Sequence, residues 1–203
     1  MFVKVCGITR EADAVSAVEH GASAIGFIFW PRSARYIEPA RARTIVQRLP
    51  AFVTAVGVFV NAGADEINAA VDAAGLGVVQ LHGDETPDIV ATLTRPVVKA
   101  VGRIELERID EWPSHVRLLV DADDREQRGG TGKRADWAAA AELARRRTIL
   151  LAGGISPETV EDAIARVKPF GIDVSSGVED APGLKNPEKI RALFEAVRRA
   201  TRA

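Results

Sequence analysis

Short apolar runs rich in Val, Ile and Phe recur along the chain: VKVC (3–6), AIGFIF (24–29), FVTAVGVFV (52–60), GVVQL (77–81), PVVKAV (96–101), RLLVD (117–121), TILLA (148–152) and GIDVS (171–175). Runs of this length and composition read as strands. Segments of helix-like composition follow each of them: EADAVSAVEH, PARARTIVQRL, ADEINAAVDAA, PDIVATL, RIELERID, RADWAAAAELARR, SPETVEDAIARV and NPEKIRALFEAVRR, of which RIELERID is short. Ser156-Pro157-Glu158 and Asn186-Pro187-Glu188 predict N-caps with proline at the first helical position. Strand and helix alternate eight times, which implies parallel strands joined by right-handed crossovers. Eight units either close into a barrel or stay open as a doubly wound sheet. The count of eight, and the lack of a G-x-G-x-x-G fingerprint after the first strand, favour closure. The expected architecture is therefore α/β, a (β/α)8 (TIM) barrel, as one domain over residues 1–203. At that length most loops must be short, and DADDREQRGGTGKR after the sixth strand is the conspicuous exception.

Alternation within the strands sharpens the picture, because successive side chains point to opposite faces. Val3 and Val5 share a face, with Lys4 and Cys6 on the other. Val79 and Leu81 oppose Gln80 and His82, and Ile172 and Val174 oppose Asp173 and Ser175. In the sixth strand Leu118 and Val120 oppose Arg117, Leu119 and Asp121. Helices cover the outside of a parallel barrel, so the apolar set should point outward and the polar set inward. Lys99 is a further candidate for the interior. Active sites of such barrels lie at the C-terminal ends of the strands. Cys6, His82, Asp121 and Ser175 fall at those ends. Lys4, Lys99 and Arg117 lie deeper and read as a structural ion network, except that Lys4, two residues from Cys6, is equally placed to act on the thiol.

Composition narrows the class. Lys plus Arg number 27 and Asp plus Glu 28, for a net charge of −1, so neither a nucleic-acid surface nor a membrane surface is expected. The single cysteine rules out an internal disulfide and suits a reducing cytoplasm. Three widely spaced histidines give no metal-ligand pattern. No apolar stretch approaches the roughly 20 residues of a membrane span, nor is there a secretory h-region. The expectation is a soluble, cytoplasmic protein, monomer or homodimer, with no metal.

Several residues bear candidate chemistry. AGGI (152–155) and SSGVE (175–179) follow the last two strands. Glycine-containing turns there present backbone N–H groups to anions, and a phosphate site after strands seven and eight recurs in this architecture. Arg35, in WPRSARYI, is suited to a carboxylate; an ordinary surface arginine is the other reading. Asp121 precedes the long loop and fits a general acid, an N-cap or a loop salt bridge, while Asp123 and Asp124 read as solvated. His82 fits a base, a substrate hydrogen-bonding group or a satisfied interior histidine. Cys6 is either a small buried residue or a thiol activated by nearby positive charge.

The stretches KVCGIT (4–9), GFIFWPRSARYI (26–37), VGVFVN (56–61), VVQLHGDE (78–85), LLVDAD (118–123), GGTGKRADW (129–137), LAGGISPETV (151–160) and GIDVSSGVE (171–179) together resemble the phosphoribosylanthranilate isomerase family of tryptophan biosynthesis. Ala34 departs from it, since many relatives carry proline before the arginine. The resemblance implies a single-domain barrel that performs an Amadori rearrangement of a small phosphoribosyl substrate without a cofactor. It implies Cys6 as general base and Asp121 as general acid. Arg35 would hold the anthranilate carboxylate. Gly153, Gly154, Ser175, Ser176 and Gly177 would hold the phosphate, and Gln80, His82 and Asp173 would orient the substrate. A base role asks the Cys6 pKa to fall, with Lys4 as the candidate cause. A barrel isomerase for another phosphoribosyl aminoaldose, such as the histidine-pathway intermediate, and a catalytically silent phosphosugar binder are the competing readings.

Overall fold

Eight parallel strands close on themselves in chain order in the computed structural model, which describes residues 1–102, 104–122 and 135–202. They are β1 (Phe2–Val5), β2 (Ala24–Ile28), β3 (Thr54–Phe59), β4 (Val78–Leu81), β5 (Val97–Val101), β6 (Arg117–Val120), β7 (Ile149–Leu151) and β8 (Gly171–Val174). β8 pairs back onto β1, with Lys4 opposite Asp173, so the ring has no free edge. Helices α1 (Glu11–His20), α2 (Pro39–Val46), α3 (Ala64–Ala74), α4 (Trp137–Ala144), α5 (Val160–Val167) and α6 (Pro187–Thr201) wrap the outside. Among the described residues no helix is long and apolar enough to cross a membrane.

The fourth and fifth crossovers differ from expectation. Pro87–Thr92 and Ile104–Glu111 are 3₁₀ helices. PDIVAT is one turn and a half of chain, too short to propagate an α-helix. FVTAVGVFV loses its first two residues to a turn, and Phe52 is 99% exposed there. Asn186 caps α6 as expected, its side chain accepting from the N–H groups of Glu188 and Lys189 ahead of Pro187. Ser156 does not cap α5 directly. It accepts the Glu158 N–H on Oγ at 3.3 Å and the Val160 N–H on its carbonyl at 3.0 Å, and this turn delays the regular helix to Val160. A two-stranded hairpin, β9 (Glu179–Ala181) with β10 (Leu184–Lys185), follows β8 and had no sequence signal.

Two apolar layers result, as the face argument requires. Val3, Val5, Val79, Leu81, Leu118, Val120, Ile172 and Val174 join the layer between sheet and helices. A small inner cluster of Ala100, Leu119, Leu150 and Ala152, with Phe2 and Val98 against it, plugs part of the barrel interior. Two deep cations were misplaced by sequence. Lys99 lies on the same face as Val97 and Val101, outside the barrel; its ammonium bonds Glu85 at 2.7 Å and sits 5.4 Å from the Trp112 ring centre. Arg117 opens β6 and is exposed, so it joins no interior ion network.

Candidate active site at the strand ends

Cys6, His82, Asp121 and Ser175 are each the first residue beyond a strand. The ladder still holds three of them: Cys6 N–H donates to the Val174 carbonyl at 2.8 Å, His82 N–H to Phe59 at 2.8 Å, and Asp121 N–H to Val101 at 3.1 Å. Their backbones are thus as rigid as the barrel, while their side chains stand at its C-terminal mouth.

Cys6 is buried beside an ion pair. Lys4, only 2% exposed, donates Nζ to Asp173 Oδ1 at 2.8 Å and interacts with the thiol as well. Burial works against the Lys4 charge, but the Asp173 carboxylate and then Cys6 outweigh it and hold the ammonium above its ordinary pKa. Lys4 is therefore a permanent cation. For Cys6 the expected downward shift does not occur. Burial pushes the thiol up, Asp173 adds to this, and the pull of Lys4, with a smaller one from Lys185, does not overcome them. The free protein consequently keeps Cys6 as thiol at neutral pH. Because this is the only cysteine, its ionisation is directly measurable. The thiolate absorbance near 240 nm, taken as the difference from Cys6→Ala, should titrate above the usual thiol value of about 8.5. A midpoint below that value contradicts the burial argument.

Two glycines make room for this arrangement. Gly7 has φ +75°, and a Cβ there would lie 2.6 Å from Arg35 Cδ and 3.1 Å from Ser175 Oγ. At Gly26 a Cβ would lie 2.7 Å from Cys6 Sγ and 3.1 Å from Lys4 Cε. Gly26→Ala should cost about 1–3 kcal/mol by overpacking and displace the thiol. Turnover should fall at least about tenfold, since small misplacements of a reacting group are expensive. Thermal melting and steady-state rates check both; unchanged turnover would mean that the thiol has nothing to do with the rate.

A second polar row lies on the other side. Gln80 Nε2 is 3.1 Å from His82 Nδ1, and His82 Nε2 is 3.4 Å from Asp121 Oδ2. If Gln80 donates, Nδ1 is the acceptor and the proton sits on Nε2, facing the carboxylate. Asp121 Oδ1 also accepts the Ala122 N–H at 2.7 Å, which fixes the direction of the carboxyl group. Gln80 Oε1 is buried without a partner among the described residues.

Between these rows, on β7 and β8, lie the two turns predicted to bind an anion. Gly153 and Gly154 have φ of +71° and +72°, which explains the glycine pair. A Cβ on Gly153 would lie 2.8 Å from the Ala135 nitrogen and 2.9 Å from that of Ala122. At Gly177 it would run into the Ile155 carbonyl oxygen, so the two turns are in direct contact. Ser176–Val178 form a single 3₁₀ turn. Arg35 reaches this region from the loop after β2, and its guanidinium is forked onto Glu179 with Nη2 to Oε2 at 2.7 Å. Sequence reasoning missed Glu179 and Lys185; Glu179 ended the quoted SSGVE stretch, but Lys185 carried no signal beyond preceding a helix cap. Asp123, Asp124 and the GGTGKR segment lie outside the described residues.

Acid, base-type and cationic side chains converging on one mouth, above two contacting glycine turns, define a (β/α)8-barrel enzyme. Comparison with known proteins is specific. The model of the N-(5'-phosphoribosyl)anthranilate (PRA) isomerase family matches residues 3–196. The N-(5'-phosphoribosyl)anthranilate isomerase of Citrifermentans bemidjiense is 46% identical over 195 residues, covering 95% of this chain and 94% of its own. The crystal structure of phosphoribosyl anthranilate isomerase from Thermus thermophilus superposes with a TM-score of 0.89 at 41% identity, covering 98% and 99%. A phosphoribosyl anthranilate isomerase in complex with reduced 1-(o-carboxyphenylamino)-1-deoxyribulose 5-phosphate gives 0.86 at 37% identity, covering 98% of each chain. The chain belongs to the PRA isomerase family, and it is an enzyme of the isomerase class.

Proposed function

We propose that the protein converts N-(5-phosphoribosyl)anthranilate to 1-(2-carboxyphenylamino)-1-deoxyribulose 5-phosphate, with Asp121 as general acid and Cys6 as general base. One structural observation carries the reading within this family: a thiol buried against a lysine–aspartate pair on β1 and a histidine-contacted carboxyl after β6, separated around the ring only by the turns of β7 and β8. A substrate pinned by its phosphate at those turns presents its ribose to both groups.

The substrate is a closed aminoaldose. Ring opening needs a proton on the ring oxygen as the C1–O bond breaks, and Asp121 gives it; the carboxylate left behind regains a proton from solvent, and His82 Nε2, 3.4 Å away, holds it in place. Opening leaves a protonated imine, whose positive charge acidifies the C2 proton. Cys6, having given its own proton to solvent as that cation forms beside it, removes the C2 proton as thiolate, and the electron pair moves to the C1–C2 bond as the imine is neutralised to an enolamine. Tautomerisation to the ketone completes the rearrangement. The imine cation also resolves the high thiol pKa: it arises next to Cys6 and supplies the charge that Lys4, tied to Asp173, supplies only in part. Gln80, with a buried acceptor to offer, and His82 orient the substrate. Asp173 acts chiefly through Lys4. Arg35 holds the anthranilate carboxylate, and Gly153, Gly154, Ser175, Ser176 and Gly177 the phosphate. The same reading places the reaction in the cytoplasm.

Identification of the product by chromatography and mass, from purified protein and synthetic substrate, tests the assignment. A competition assay against the histidine-pathway aminoaldose separates it from the related isomerase; preference for the latter would overturn it. Tight phosphosugar binding without turnover would mark a silent binder instead.

A further inference from the structure

The SSGVE turn ends on a residue that the chemistry above leaves idle. Glu179 opens β9, is buried, and collects donors from three places. Arg35, from the loop after β2, donates Nε to both carboxylate oxygens at 3.0 and 3.1 Å and Nη2 to Oε2 at 2.7 Å. Lys185, on β10, donates Nζ to Oε1 at 2.7 Å, and the Gly183 N–H donates to the same oxygen at 3.1 Å. Lys185 has a fully buried side chain, and its ammonium also donates to the Ser175 carbonyl at 3.2 Å. One carboxylate therefore links Arg35 to the β8 turn assigned to phosphate.

We propose that Glu179 is a positioning residue that fixes the Arg35 guanidinium in the orientation that receives the substrate carboxylate, braced by Lys185 against the Ser175 turn. The inference rests on the isomerase reading above. A forked contact to Nε and Nη2 sets both the plane and the direction of a guanidinium, which a single contact does not. The stem is confined as well, since Arg35 Cδ packs where a Gly7 Cβ would stand. The frame beneath is rigid: Arg10 Nη2 donates to the Lys185 carbonyl at 3.3 Å, Lys185 N–H to Asp13 at 3.2 Å, and Thr9 Oγ1 to the Gly183 carbonyl at 2.7 Å. Arg35 and Glu179 cancel in charge, and burial pulls the Lys185 pKa down although Glu179 opposes this, so the brace supplies direction rather than added positive charge. Orientation fixed before binding is entropy that the substrate need not supply.

Two probes separate carboxylate recognition from phosphate recognition: reduced 1-(o-carboxyphenylamino)-1-deoxyribulose 5-phosphate carries both groups, and ribose 5-phosphate only the phosphate. Glu179→Gln should weaken the first by about tenfold or more and the second by less than about threefold, with KM rising more than kcat falls. Glu179→Asp should recover part of the loss. In an Arg35→Gln background, Glu179→Gln should add nothing further. Because Glu179→Gln strands a buried Lys185, E179Q/K185M is measured beside K185M, where the same tenfold change in probe selectivity should appear. Equal losses for both probes, or additive effects of E179Q and R35Q, would overturn the proposal. Binding is read independently of turnover. A wild-type protein that discriminates the probes but does not isomerise the substrate would sink the isomerase reading and still decide whether Glu179 acts through Arg35.

Discussion

Cys6→Ala is expected to remain folded and to lose about 10²- to 10⁴-fold in turnover of N-(5-phosphoribosyl)anthranilate, the usual cost of removing a general base. Folding should survive because the thiol contributes little that the fold depends on. Its loss leaves a void of one sulfur atom, worth about 1 kcal/mol. Lys4 does not become an unpaired buried charge, since Asp173 continues to hold it at 2.8 Å. The strand end itself is kept by the backbone bond from Cys6 to Val174. Activity should fall because no neighbouring group can take over. Lys4 is held protonated, and Asp173 is committed to it. Thermal melting within a few degrees of wild type, together with a rate near background, is the expected pair of results. Wild-type turnover in this variant would remove Cys6 from the mechanism.

Asp121→Asn should give a loss of similar size at an earlier step. The amide keeps the shape of the carboxyl, and Asn Oδ1 can still accept the Ala122 N–H. Placing an NH₂ group opposite His82 Nε2 asks the imidazole to exchange tautomers. Gln80 permits this: by rotating its amide it would present the now unpartnered Oε1 to a protonated Nδ1. The row inverts, but it moves the buried Gln80 NH₂ into the position where Oε1 now has no partner, so stability should fall by about 1–3 kcal/mol without loss of the fold. What disappears is the proton for the ring oxygen. The two variants should therefore differ in a second observable. With a substrate deuterated at C2, Asp121→Asn should stall before C–H cleavage with the ring closed, whereas Cys6→Ala should accumulate ring-opened imine. Observation by NMR of the same species in both would contradict the division of labour.

Much of this site was visible in the alternation of residues. Lys4, Cys6, Gln80, Asp173 and Leu119 all point as the two-residue period requires, because a closed parallel sheet leaves a strand residue only two choices. Lys99 keeps the period, on the face of Val97 and Val101, but breaks the expectation that polar side chains turn inward, and for a physical reason. A long aliphatic stem reaches Glu85 and the Gly83 carbonyl past the strand end while resting on Trp112, so a lysine fits the outer face without an unpaired charge. Pro87–Thr92 was misread because its composition resembles helix where six residues are too few to build one, while Ile104–Glu111 is as long as α2, α4 and α5 and its 3₁₀ form has no such explanation. The hairpin Glu179–Lys185 was invisible because its partners, Arg35 on the loop after β2 and Arg10 and Asp13 at the start of α1, are brought to it only by closure of the ring. For the same reason Arg35 was legible as a carboxylate binder but not as a residue already held by one. The direction of the Cys6 pKa was misjudged because the sequence shows the neighbouring lysine but neither the depth of burial nor the aspartate that claims the lysine's charge.

Anthranilate fluorescence followed in real time, with wild-type protein, Cys6→Ala and Asp121→Asn in parallel at equal concentrations, tests the assignment most directly. Wild type should consume phosphoribosylanthranilate to completion with release of the carboxyphenylamino-deoxyribulose phosphate, while both variants stay at least about a hundredfold slower. Wild-type protein that leaves the fluorescence unchanged, or variants that match its rate, would contradict it.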